Sequence, residues 1–368
     1  MFSKQIQESG DNSQQLQANN MIVNIGIDEK RAREIYQEMN LQLRKDYTQE
    51  ALEIANLRVT EFENRLLPKM EAVEGALEAF ADPSFQLLLV EAQKTAASTE
   101  RTADYDLLSE LLIHRFQKGD NRVTRAGISR AVEIVDKISD DALLGLTVLH
   151  SVNYFLPASG IIHQGLSTLN DLFGKLFYSD LPVGIEWLDH LDILDAIRVS
   201  NFSSLKKLEE YYPEMLSGYI DTGIEKNSDN YNEAIELLRS NGLPQDILID
   251  HELNGNYVRI KLSNIDQIDS LILHHKIFNN GRISFTQIPL THAQKIVVKS
   301  VYDLYEENAS IRQQNVNKFM EEWNKQPNLN KLREWWDSIN AGIQLTSVGK
   351  VLAHSNAQRC DKNLPSLN

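Results

Sequence analysis

Apolar residues recur at intervals of three and four along most of this chain, the period of an amphipathic helix. The clearest run is Leu52, Ala55, Val59, Phe62 and Leu66, continuing as Met70, Val73, Leu77 and Phe80. It predicts one long helix from about Asp46 to Phe80, with a heptad-like seam and a kink beside Pro68. At 1.5 Å per residue such an element spans roughly 50 Å. Before it, Asp28 caps a helix over Glu29–Asn40. After it, short breaks separate expected helices at Pro83–Ala97, Thr102–Phe116, Arg122–Ile138, Asp140–Phe155, Ile161–Phe177, Ile185–Val199 and Asp229–Ser240. Short connections favour antiparallel neighbours in a bundle.

Two stretches break this period. Residues 1–27 are rich in Gln and Asn, and Val23, Ile25 and Ile27 alternate with polar neighbours. With Ile6 and Leu16 they predict short strands that need partners to satisfy their backbone groups. Further on, Asn254-Gly255-Asn256 separates Ile247–Leu253 from Tyr257–Leu262, a hairpin pattern. In the second strand Val258, Ile260 and Leu262 share one face, and Tyr257, Arg259 and Lys261 the other. A helix over Ile265–His275 and a strand over Arg282–Ile288 complete a small α+β insert. Beyond it the pattern predicts a long helix from Thr291 to Lys325, then Leu329–Ile339, a short strand and a capped final helix.

The fold class expected is therefore mainly α: an irregular helical bundle with a long kinked N-terminal helix, short N-terminal strands and a small α+β insert near 247–290. Its parts are a strand-forming oligomerisation segment at 1–27, a coiled-coil-like region at 28–82, a bundle at 83–242, the insert at 243–290, C-terminal helices at 291–360 and a loose polar tail at 361–368. Ile6, Leu16, Val23, Ile25, Ile27, Leu52, Val59, Phe62 and Leu66 are the candidate oligomerisation residues.

Composition narrows the setting. Of 368 residues, 42% are hydrophobic and 24% charged, as in ordinary globular proteins. The one cysteine, Cys360, excludes a disulfide framework and a cysteine-rich zinc site. No apolar run approaches the roughly 20 residues of a membrane span. A cytoplasmic protein with no membrane contact is expected. The net charge of −15 argues against broad binding to phosphate backbones. That charge is uneven: Val183–Ser240 has twelve acids against five bases, whereas Thr291–Asn368 has eight against ten.

Candidate chemistry is sparse. Asp189, Asp192 and Asp195 fall at helical spacing, but an acidic solvent-facing stripe explains them without a metal. Arg115, Lys118, Arg122, Arg125 and Arg130 form the densest basic stretch and, with Arg259 and Lys261, are candidates to bind an anion or a partner. The histidines fit no metal-binding frame, and no phosphate loop, dinucleotide fingerprint or G-x-S-x-G elbow is present. No catalytic residue, cofactor or metal is expected. Trp335 and Trp336 read as a core-facing pair.

The opener, with Ser9-Gly10-Asp11-Asn12-Ser13 and Ile22-Val23-Asn24-Ile25-Gly26, resembles one shared by uncharacterised bacterial accessory-genome proteins and, more loosely, amyloid-like signalling motifs. Leu345-Thr346-Ser347-Val348-Gly349-Lys350-Val351-Leu352-Ala353 is similar to an L-T-x-x-G-x-x-x-A element of helical families linked to abortive phage infection. These resemblances imply a phage-defence setting and no catalytic residues. Three functions follow as expectations. The first is a self-assembling scaffold or sensor that pairs with itself and with a protein partner. The second is a nucleic-acid-binding regulator with a winged-helix-like unit built from the 247–262 hairpin and helices near 291–357. The third is an effector enzyme with dispersed residues.

Overall fold

The computed structural model describes residues 27–43, 48–118, 121–200, 202–279 and 282–367. The fold is mainly α, with a few short strands in small sheets. Ile6, Leu16, Val23 and Ile25 lie outside the described residues.

Helices α1 (Glu29–Leu43) and α2 (Gln49–Glu71) open the bundle. Thr48 caps α2, its hydroxyl accepting from the Ala51 amide. The expected seam is real, but it is spent inside the chain. Val59, Phe62 and Leu66 are at most 1% exposed, packed among α1, α3 (Pro83–Ser98) and α4 (Thr102–Gln117). Ile27 and Leu52 are half-buried. The helix is also shorter than its apolar period. Pro68 sits in its last turns and offers no amide to the ladder. Gly75 then adopts φ 74°, and a 3-10 turn at Ala76–Ala81 carries Ala76 and Phe80 into the core. Twenty-three residues span about 35 Å rather than 50.

Helices α5 (Arg122–Ile134), α6 (Asp140–Tyr154) and α7 (Ile162–Leu176) follow, with Asn121 and Ser139 as N-caps. The helix expected over Ile185–Val199 is only α8 (Glu186–Ile193). Asp195 takes φ 61° and turns the chain into strand β1 (Ile197–Ser200), which pairs antiparallel with residues 342–345. Two short helices not foreseen, α9 (Leu208–Met215) and α10 (Ser217–Ile220), lead out of the bundle.

A second hydrophobic core gathers residues from Ile224 to Tyr305. Here β2 (Ile224–Glu225), α11 (Asp229–Ser240), β3 (Leu248–Asp250) and β4 (Tyr257–Ile260) build a small lobe with sheet order β2-β4-β3. The 247–262 hairpin is thus present, with Leu248 opposite Ile260. The helix expected over Ile265–His275 is not. A 3-10 turn at Ile265–Ser270 ends at once, and β5 (Ile272–Asn279) pairs with β6 (Arg282–Pro289) over eight residues. Helix α12 (His292–Tyr302) starts with a capping box between Thr291 and Gln294.

The long helix expected to reach Lys325 is broken after Tyr302. Asn308 caps a separate α13 (Ala309–Asn324), accepting from the Ser310 and Ile311 amides. Helix α14 (Pro327–Asp337) buries Trp335 and Trp336, as read from sequence. Strand β7 (Gly342–Leu345) and α15 (Ser347–Cys360) end the fold, with α15 packed among α4, α5 and α6. The tail is docked rather than loose. Lys175 bonds Asp361 at 2.7 Å, and Leu364 and Leu367 pack on the bundle core.

Candidate functional site on the α+β lobe

Most of the residues singled out for chemistry are occupied by the fold. His114, His150 and His354 meet in the bundle, His354 lying 5.3 Å and 5.6 Å, ring to ring, from His150 and His114. His354 Nε2 faces the Pro365 carbonyl at 2.9 Å, so that nitrogen carries the proton. His354 Nδ1 then accepts from His150 Nε2 at 3.1 Å. Burial, aided by the neighbouring imidazole, lowers His150 to about 3 and His354 to about 4. These are neutral core histidines. Among the described residues no group of three His, Cys, Asp or Glu side chains is placed to hold a metal. The Cys360 thiol is pushed up by burial, away from a reactive thiolate.

The L-T-x-x-G element also has a packing explanation. The Thr346 hydroxyl caps α15 by accepting from the Gly349 amide at 3.1 Å. It faces the Asp195 carbonyl at 2.6 Å. A Cβ on Gly349 would lie 2.0 Å from the Ala196 carbonyl oxygen. The element locks α15 to the turn before β1.

The basic stretch divides in the same way. Arg115 donates to Ser84 Oγ at 2.7 Å, and Arg130 bridges Glu133 at 2.9 Å and Asp195 at 3.7 Å. Asp192 and Asp195 also face Arg198, at 3.8 Å and 2.9 Å. Asp192 and Asp195 therefore belong to a surface ion-pair cluster with Arg130 and Arg198. Lys118 and Arg125 are half-buried and Arg122 is exposed, all at the corner between α4 and α5.

Arg259 and Lys261, paired by strand alternation, part company. Arg259 is fully buried and serves as a clamp. Its guanidinium donates to the carbonyls of Gly218, Ile260, Leu262 and Gly160, and pairs with Glu252. It also stacks over the Tyr219 ring, 5.4 Å from the centroid. A guanidinium so enclosed cannot reach a phosphate, which corrects its candidacy as an anion ligand. The winged-helix-like unit is corrected too. Strand β4 is the centre of a three-stranded sheet, while α15 lies in the bundle.

Lys261 stays exposed and lines a cleft of about 230 Å³ between residues 158–160 and the root of β5. Leu271 and Leu290 are buried in the lobe core at that root, while Ile272 and Ile288 are 43% and 42% exposed. From there the β5–β6 ribbon extends as a sheet of its own. On α12, Val298 and Val301 are buried, while His292, Ile296 and Lys299 lie exposed at i, i+4 and i+7, one face of the helix. Lys295 is held by Asp269. Sequence periodicity misses the first strand because the 3-10 turn Ile265–Ser270 before it carries helical apolar spacing.

The architecture is a helical bundle carrying a ribbon-bearing α+β lobe. Residues 26–365, bundle and lobe together, match a family model described as ":-like", and the chain belongs to that family. The description names no activity. No curated protein and no solved structure matches the chain. Among the described residues no helix is long and apolar enough to cross a membrane.

Proposed function

We propose that this is a self-assembling interaction protein whose copies join through the β5–β6 ribbon. One observation carries the proposal. Among the described residues β5 and β6 pair with each other and with no other strand, leaving both outer edges of an eight-residue ladder open. A two-stranded sheet is marginal alone and gains from added strands, and an open edge is a template for pairing. The ribbon contains Ile277, Phe278, Ile283 and Phe285 and has no proline before Pro289, a composition that favours strand pairing. A two-fold axis beside one edge joins two ribbons into a four-stranded sheet.

The seam of α2 contributes little to this assembly, since its apolar side is already buried within the chain. The segment 1–27 remains a second assembly element on its sequence alone. Light scattering tests both. The full chain is expected to form a dimer or larger species. Replacing residues 274–287 by a two-residue turn should reduce that size with unchanged helical circular dichroism, and removing residues 1–27 as well should yield a monomer. A monomeric full chain, or an assembly indifferent to that excision, would overturn the proposal. The resemblance of Leu345–Ala353 supports a setting in bacterial phage defence. There, expression of the full chain should reduce phage plating and the excised variant should not.

A further inference from the structure

We infer that the groove between α6, α7 and α15 is a peptide-recognition site, which residues 361–367 fill in cis and which takes an extended Asp-x-x-Leu-Pro-x-Leu peptide from a partner protein. The seated segment, Asp361-Lys362-Asn363-Leu364-Pro365-Ser366-Leu367, displays the chemistry of that ligand. Lys175 on α7 holds the Asp361 carboxylate at 2.7 Å. His354 Nε2 donates to the Pro365 carbonyl at 2.9 Å. Gln358 Nε2 donates to the Leu364 and Pro365 carbonyls at 3.3 Å and 3.1 Å, and the Tyr154 hydroxyl to the Ser366 carbonyl at 3.3 Å. Leu364 and Leu367 lie half-buried against the bundle core.

The donors are aimed from inside the bundle. His150 Nε2 fills the Nδ1 of His354, which leaves the proton of His354 on the nitrogen that faces the segment. His114 Nε2 meets Gln358 Oε1 at 2.8 Å, which turns the amide NH2 outward. The buried histidines thus hold two donors in place for main-chain carbonyls, which any peptide carries. Main-chain bonds supply affinity in peptide recognition, and side-chain pockets supply specificity. Here Lys175 reads a carboxylate and the bundle core reads two leucines. The segment does not fill its groove: a cavity of about 440 Å³ stays open beside it, lined by Phe155, Leu156, Leu169 and Leu172. A segment tethered directly to α15 acts at an effective concentration of about 1 mM, so a free peptide with an intrinsic Kd of about 100 µM is weakened about tenfold. The partner's peptide therefore displaces the segment and does not add to it. Nothing in this groove belongs to the ribbon, so the inference stands apart from ribbon pairing.

The test is fluorescence anisotropy with a labelled synthetic peptide of residues 361–367. It is titrated with the full chain, with a full chain whose residues 361–367 are replaced by glycine and serine, and with Asp361→Lys. The probe should bind the replaced chain about tenfold tighter than the unaltered one. Asp361→Lys repels Lys175 while keeping both leucines, so it should show a smaller gain of the same sign and serves where the full replacement melts early. In the replaced chain Lys175→Glu should weaken the probe about fivefold, and a probe carrying Asp361→Lys should recover that loss. A probe of the same composition in another order should not bind. No binding to either altered chain, equal affinity for altered and unaltered chains, equal affinity for the reordered probe, or no recovery by the exchanged charges would overturn the inference. Melting by circular dichroism verifies that each variant is folded. Light scattering of the same samples separates this from ribbon pairing: if replacing residues 361–367 itself lowers the assembly, the groove joins copies of this chain and the partner reading falls.

Discussion

Arg259 and the core histidines show what one residue's surroundings do to its chemistry. In the sequence Arg259 alternates with Val258 and Ile260 and reads as solvent-facing. In the fold the loop 157–160 and helix α10 close over that side of β4 and present carbonyl oxygens to it. Alternation separates two faces but does not say that one is wet. Arg259→Lys should cost about 3 kcal/mol in urea denaturation, because one ammonium cannot replace a planar fork serving four carbonyls and a carboxylate. A loss below 1 kcal/mol would refute the clamp. The histidines carry a pH prediction. Their folded pKa values, about 3 for His150 and about 4 for His354, lie below the unfolded value near 6.5. The folded state therefore takes up protons less readily than the unfolded one. Their contribution is intact above pH 6.5 and is lost as pH falls toward 4. Each neutral imidazole costs about 2 kcal/mol between pH 6.5 and 5. His150→Leu with His354→Leu should flatten the stability profile across that window, and an equally steep profile would refute the assignment.

Elements were legible where period and caps agreed. Helices α3, α4, α6, α11 and α14 fall within two residues of their expected ends, and Asn121, Ser139 and Thr346 cap as their side chains allow. The misses have local causes. The α8 pattern ran on into β1 because Ile197 and Val199 continue an apolar rhythm, and only a left-handed Asp195 breaks it. The β5 segment follows a true 3-10 turn whose Ile265 and Ile268 mimic helical spacing. The ribbon, the candidate site, was legible in its second strand alone, since a strand's partner across a turn is a tertiary fact. The β7–α15 joint makes its own prediction. Gly349→Ala should destabilise by about 2 kcal/mol or more, because the opposing atom is a backbone carbonyl that cannot swing aside. Gly255→Ala, in the hairpin turn with open space around it, should change stability by less than about 0.5 kcal/mol. Equal thermal shifts for the two would overturn this account.

At the scale of the whole molecule, two hydrophobic cores meet at a polar joint. The bundle core runs from Ala32 to Ala357, and the lobe core from Ile224 to Val301 is much smaller. Leu253 packs into the bundle core, and hydrogen bonds add to that fastening. Arg259 spans both, Ser263 donates to the Pro157 carbonyl at 2.9 Å, and Lys318 donates to the Leu253 carbonyl at 2.7 Å. His251 accepts from the Leu253 amide through Nδ1 and faces the Asp221 carbonyl through Nε2 at 3.0 Å, so it too is neutral there. Burial, with Arg259 next in weight, lowers it to about 4. A small core behind a polar joint opens before a large one. Hydrogen exchange in rising urea should therefore show residues 224–305 losing protection before residues 83–176. The gap should widen below pH 6.5, as His251 gains a proton more readily in the opened joint than in the closed one. It should widen again in Arg259→Lys. If both regions lose protection in one transition at every pH, the lobe and bundle are a single cooperative unit and the joint is no seam. A two-step loss would show that the ribbon is mounted on the less stable part of the molecule, where a partner's binding energy orders and stabilises it most.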